Sequence, residues 1–173
     1  RWLQDGDEGG HVQAAMAEYP DQDFVAATLK RYYRPDGRPP GAAYRPIPRL
    51  DHHQRLEAVR LAVLGAFVQV CMAKQGHDGP VGINLLEKVQ LPNLATLYGA
   101  MLAGVDFVLM GAGIPRSIPA VLDHFAAGEP AELTLDVAGA LPGERFVSRF
   151  DPSEYLGNAV RPLRRPQFLA IVS

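Results

Sequence analysis

The sequence predicts an α/β fold built on a parallel sheet, and three observations carry that prediction. Short apolar runs of strand length, "PVGINLL" and "VDFVLM", alternate with helical segments that open on proline or serine and close on glycine. Only a few residues separate each run from the helix after it, which is the rhythm of parallel βα units. Antiparallel signals are confined to one later stretch.

Taken in order, "HVQAAMAEY" and "DFVAATLKRYY" within residues 11–33 read as one or two short helices. The run "RPDGRPPGAAYRPIPRL" holds too much proline and glycine for regular structure, so a loop or extended strap is expected. A long helix is predicted over 51–75, with Asp51 as N-cap and Gly76 ending it. One side of that helix carries Leu56, Val59, Val63, Leu64, Phe67 and Cys71.

The first buried strand, "PVGINLL", leads to a helix opened by Pro92 and closed by Gly104. The second, "VDFVLM", leads to a helix with Ser117 as N-cap, Pro119 in its first turn and Gly128 as its stop. "AELTLDV" and "ERFVSRFD" alternate apolar and polar residues around the turn chemistry of "AGALPG", so they predict a surface hairpin. "PSEYLGNAVRPLRRP" reads as a loop and "QFLAIVS" as a third buried strand.

Three parallel strands cannot close a barrel, and left open they would expose two edges and an apolar face. A complete eight-stranded βα barrel takes roughly 250 residues. The expectation is therefore a partial TIM (β/α)8 barrel: about three parallel strands with their helices, plus a hairpin insertion. Residues 1–50 form the helical segment and strap, 51–130 the βα units, 131–166 the hairpin and loop insertion, and 167–173 the start of the next barrel strand. The chain opens on Arg1 rather than Met, and both ends read as cuts.

A formal charge of −2 leaves no basic excess to neutralise phosphates, so nucleic acid is not an expected partner. The longest apolar stretch, residues 61–73, is interrupted by Gln69 and falls short of the about 20 residues a bilayer requires, so no membrane is expected. The single cysteine, Cys71, cannot form an internal disulfide. It reads as core, and a reducing, cytoplasmic setting is compatible with it.

In a βα barrel, chemistry sits where strands run into the following loops. Two such ends are visible. Asn84 places an amide at the end of the first strand, before Glu87 and Lys88. It either satisfies loop backbone or offers its donor and acceptor to the edge of a heterocycle. Gly111, Ala112 and Gly113 end the second strand, where the glycines serve either a turn with positive φ or the close approach of a flat ligand.

These residues carry a resemblance. "GINL", then "YGAMLAGVD", then "GAGIP" is similar to the FMN-dependent enoyl-acyl-carrier-protein reductases and nitronate monooxygenases, which are flavin-binding βα barrels. The run "GHDGPVGINLLEKVQLPNLATLYGAMLAGVDFVLMGAGIP" most resembles the subgroup acting in trans beside polyketide and polyunsaturated fatty acid synthases. The opening "RWLQDGDEGGHV" and the closing "LRRPQFLAIVS" fit it too.

The resemblance implies that Asn84 contacts FMN and that Gly111, Ala112 and Gly113 lie near the isoalloxazine or the substrate. Gly82, Lys88 and Ile114 are then further substrate or cofactor contacts. It implies NAD(P)H as reductant and an enoyl thioester on an acyl carrier protein as substrate. The near alternative is an alkyl nitronate oxidised with dioxygen, and the alternative outside enzymology is a non-catalytic truncated remnant. The family's catalytic histidine follows the GAG loop in an Ala-Gly-Gly-His segment that this chain lacks, so no catalytic residue is expected here and the fragment alone is expected to be inactive. Gly9-Gly10-His11 precedes the strands and reads as helix-start chemistry.

Other polar clusters have plainer readings. His52 and His53 face different directions and lack a third ligand, so no metal is expected. His77 reads as a loop-orienting residue and His124 as surface. "RPLRRP", with Arg161, Arg164 and Arg165, reads as a solvated loop or a contact to an acidic carrier protein.

Overall fold

A computed structural model describes residues 1–51, 53 and 55–171, with the side chain of Asn158 left aside. His52 and the last two residues of the expected third strand lie outside the described residues.

The chain begins with helices α1 (His11–Ala17) and α2 (Gln22–Tyr32). The Gly-Gly-His motif is helix-start chemistry: Gly9 and Gly10 adopt φ of 79° and 69°, and the Asp7 carboxylate accepts from the N–H groups of Val12 and Gln13, each at 2.9 Å. Burial works against charge on Asp7, yet those backbone donors hold its pKa below the ordinary carboxylate value. After the strap comes α3 (Leu56–Ala73). It starts later than the sequence predicts. Asp51 accepts from the N–H of His53 at 3.0 Å and pairs with Arg55, so its side chain closes a local turn instead of capping the helix. Leu56, expected on the buried side, is exposed.

The sheet is built from β1 (Gly82–Leu86), β2 (Phe107–Gly111) and β5 (Gln167–Ala170), parallel and in the order β1-β2-β5. Helix α4 (Asn93–Leu102) joins the first two strands, and α5 (Ile118–Ala127) follows β2. Both helices stop at glycines in the left-handed region, Gly104 and Gly128. Ser117 stands at the N-cap of α5, but its side chain makes no capping bond. The fold is thus α/β with an open three-stranded parallel sheet, and no barrel closes among the described residues.

Strands β3 (Ala131–Leu135) and β4 (Phe146–Phe150) form the antiparallel hairpin. The segment after it is not all loop, since α6 (Pro152–Leu156) begins on Asp151, whose carboxylate accepts from the N–H of Ser153. An aromatic cluster fastens the hairpin to the helices. Phe150 lies 5.0 Å from Tyr98 and 5.4 Å from Phe125, and stacks on Tyr155 at 4.5 Å.

One face of the sheet is covered and the other is open. Val108 and Met110 are fully buried against the helices, with Ile83, Leu85 and Phe168 packed beside them. The opposite face carries Gly82, Asn84 and Leu86 on β1, Phe107 and Leu109 on β2, and Leu169 on β5. There Leu86 and Leu169 are 48% and 46% exposed. By length and composition alone, the 18 residues of α3 reach what a membrane span needs, which the shorter run over 61–73 does not suggest. Seven of its residues are buried in this fold, with Val63 fully buried and its backbone pressed on Gly99 of α4.

Asp106 knits the N-terminal edge of the sheet. Its carboxylate accepts from Lys74 Nζ and from the N–H of Val81, each at 2.8 Å, and from the Arg164 guanidinium. Its carbonyl accepts from the N–H of Gln167 at 2.9 Å. These bonds, the one from Lys74 foremost, hold the Asp106 pKa far below the usual carboxylate range. Arg165 pairs with Asp123, so two arginines of the basic cluster bind the domain's own carboxylates.

Candidate functional site

The C-terminal ends of β1 and β2 lie side by side, in register from Gly82 against Phe107 to Leu86 against Gly111. The pairing continues one residue further, where the Glu87 N–H donates to the Gly111 carbonyl at 2.8 Å. The parallel sheet therefore brings both sequence-predicted strand ends to one place, which follows from the short βα connections.

Within that place the predicted residues divide. Asn84 is not at the strand end but in the middle of β1, exposed on the open face with Gly82 and Leu86 on either side. The amide buried at this end of the sheet is Asn93, 4% exposed, whose Nδ2 donates to the carbonyls of Leu86 and Glu87 at 3.3 Å each. It fixes the turn after β1 and is satisfied in doing so. Its position directly after Pro92, at a helix start, is the signal that could have found it. Gln90 is a second residue that sequence reasoning missed. Its side chain exchanges two hydrogen bonds with the backbone of Asp136, at 2.6 and 3.1 Å, and so ties the hairpin to the same turn.

The glycine loop also differs from expectation. Neither Gly111 nor Gly113 has positive φ; the left-handed residue is Ala112, at φ 60°. Close approach is what the glycines serve, and protein side chains make the approach. A Cβ on Gly111 would meet Ile171 Cβ at 3.2 Å. A Cβ on Gly113 would meet Glu87 Cβ at 2.9 Å and Cδ at 2.7 Å. Gly82 is hemmed by Leu109 and Phe107 at 3.2 and 3.3 Å. Lys88 and Ile114 are exposed.

Between the turn after β1 and the start of α5 is a polar cleft of about 50 Å³, lined by Glu87, Asn93, Arg116, Ser117 and Thr134 among others. Small-molecule sites usually enclose roughly 300–1,000 Å³, so this cleft does not take a flavin ring. Tested against FMN, the residues fit in part. The exposed amide of Asn84 suits a polar flavin edge above the open face, whereas Gly113 offers no platform while Glu87 lies against it.

The other singled-out groups are structural. His77 Nε2 lies 2.7 Å from the Ala73 carbonyl and its Nδ1 accepts from the Gly79 N–H at 3.0 Å, so the ring orients the loop before β1. His124 is exposed and pairs with Glu129. Cys71 is half-buried, and burial pushes its thiol pKa up, which disfavours the reactive thiolate. Among the described residues no group of three or more His, Cys, Asp or Glu side chains could hold a metal ion.

No family model, curated protein or solved structure matches this chain.

Proposed function

We propose that the chain is the central part of an FMN-dependent oxidoreductase that uses NAD(P)H to reduce an enoyl thioester carried on an acyl carrier protein. The observation that carries this reading is the parallel pairing of β1 with β2, which sets Asn84 opposite Leu109, two residues short of the Gly111, Ala112 and Gly113 turn, on an uncovered sheet face. A parallel sheet is ordinarily covered on both faces, so a face bearing an exposed amide between Gly82 and Leu86 suits a ligand roofed by further protein.

When bound, the flavin supplies the redox chemistry; this chain supplies position. Asn84 would hold a polar edge of the ring. Gly82 keeps the neighbouring surface low, while Leu86 and Leu109 give it an apolar floor that excludes water. Asn93 fixes the turn that presents Glu87 and Lys88. The catalytic histidine expected from the resemblance is proposed to lie outside these 173 residues, and the chain alone to be inactive.

The test is an assay of the chain extended through its own reading frame and supplied with FMN. One arm offers an enoyl thioester with NADH or NADPH, and the other an alkyl nitronate with dioxygen. Turnover of the thioester alone is expected. Turnover of the nitronate alone would assign the nitronate monooxygenase reading, and activity in neither arm would leave a non-catalytic remnant.

A further inference from the structure

A cavity of about 370 Å³ lies between α3 and the N-terminal segment, and none of its lining residues belongs to the sheet. Its wall is mainly apolar, with Trp2, Met16, Leu61, Leu64 and Val68. A second hollow of about 380 Å³ shares Ile47 and Leu61 with it and extends the groove along the helix. The volume falls in the range of small-molecule sites.

Two further observations mark the cavity as more than loose packing. Gly65 lines it from the middle of α3, where glycine weakens a helix relative to alanine. A Cβ on Gly65 would have nothing within 4 Å, whereas Gly99 is held to glycine by the Val63 backbone. The missing side chain at position 65 therefore serves no protein contact; it deepens the hollow. Tyr32, another lining residue, is 6% exposed, and its buried hydroxyl has no hydrogen-bond partner. A buried hydroxyl ordinarily finds one.

We propose that this cavity binds a neutral aliphatic alcohol, with the chain lying over Gly65 and Val68 and the hydroxyl on Tyr32. The elongated apolar wall favours a linear chain. A neutral head is favoured because Thr28, Tyr32 and Gln69 are uncharged, and the one charged lining residue, Arg1, holds its guanidinium over the ring of Tyr44, which does not line the cavity.

The chain's single tryptophan, Trp2, lines the cavity and is half exposed, so its emission reports occupancy. Titration of the 173-residue chain with decanol is expected to give a saturable blue shift of that emission. Tyr32→Phe should weaken binding about tenfold, the loss of one hydrogen bond. Gly65→Leu should abolish the shift without lowering the melting temperature, and Gly65→Ala, the milder filling, should reduce it. A shift that never saturates, or one that Gly65→Leu leaves unchanged in a folded protein, would overturn the proposal. So would a dimer that Gly65→Leu dissociates while decanol has no effect, since the groove would then seat a second copy.

Discussion

The side chain of Glu87 fills the space that any residue other than glycine would need at position 113. A Cβ there would stand 2.9 Å from Glu87 Cβ and 2.7 Å from its Cδ. Gly113→Ala should therefore destabilise the protein by about 1–3 kcal/mol, the usual penalty of overpacking. Removing the neighbour's side chain, Cβ included, should rescue it, so in a Glu87→Gly background the same change should be nearly silent. Thermal unfolding of the two single variants and the double variant measures this coupling, and additive losses would contradict the contact.

Gly99 allows α3 and α4 to touch backbone to backbone. A Cβ on it would meet the Val63 carbonyl carbon at 2.9 Å and Ala66 Cβ at 3.0 Å. Alanine is intrinsically the better helix former, by about 0.8–1.0 kcal/mol. Gly99→Ala should nevertheless destabilise, because a helix backbone cannot turn aside as a flexible side chain can. Chemical denaturation of this variant should show a lower midpoint; a midpoint raised by the propensity gain would show that the helices are not in contact at Gly99.

The acid limb of stability should run through Asp106. Hydrogen bonds from Lys74, Val81 and Arg164 favour its ionised form, so its folded pKa lies below its unfolded one. Such a group contributes stability that is complete above the unfolded value, near about 4, and is lost as pH falls through the folded value. Asp106→Asn should accordingly be less stable than wild type at neutral pH, and the difference should shrink as the solution is acidified below pH ~4. Unfolding curves collected across that range should converge; a constant gap would mean that the charge contributes nothing.

Tyr98 is fully buried in the aromatic cluster, with Phe125 at 5.2 Å, and its hydroxyl has no partner. Burial pushes its pKa up to about 12. Tyr98→Phe removes an unsatisfied group and keeps the ring, so it should be neutral or stabilising by about 1 kcal/mol. Phe150→Ala, which empties the centre of the cluster, should lose about 3–5 kcal/mol. Calorimetry of both variants tests the pair, and a clear loss from Tyr98→Phe would reveal a bond at the hydroxyl.

Much of this architecture was legible from periodicity and punctuation. Pro92 with Gly104, and Pro119 with Gly128, bracket the two helices of the sheet because proline suits a first turn and glycine a left-handed stop. What sequence could not supply was tertiary competition for a side chain. Asp51 resembles a cap, but a local turn engages its oxygen first. Asn84 and Asn93 are both amides near one strand end, and only the pleat and the helix start decide which is buried. The GAG loop left a turn with positive φ and the close approach of a flat ligand both open, and it could not name Glu87 and Ile171 as what approaches, since those contacts join residues distant along the chain.

We propose that the open sheet face beside Asn84 holds a flavin. It is tested most directly by FMN fluorescence quenching on this chain and on the chain extended at both ends, each with and without Asn84→Ala. Saturable quenching is expected only in the extended protein, weakened by Asn84→Ala. Absence of quenching in both proteins would contradict it, leaving Gly111 and Gly113 as glycines that make room for protein side chains alone.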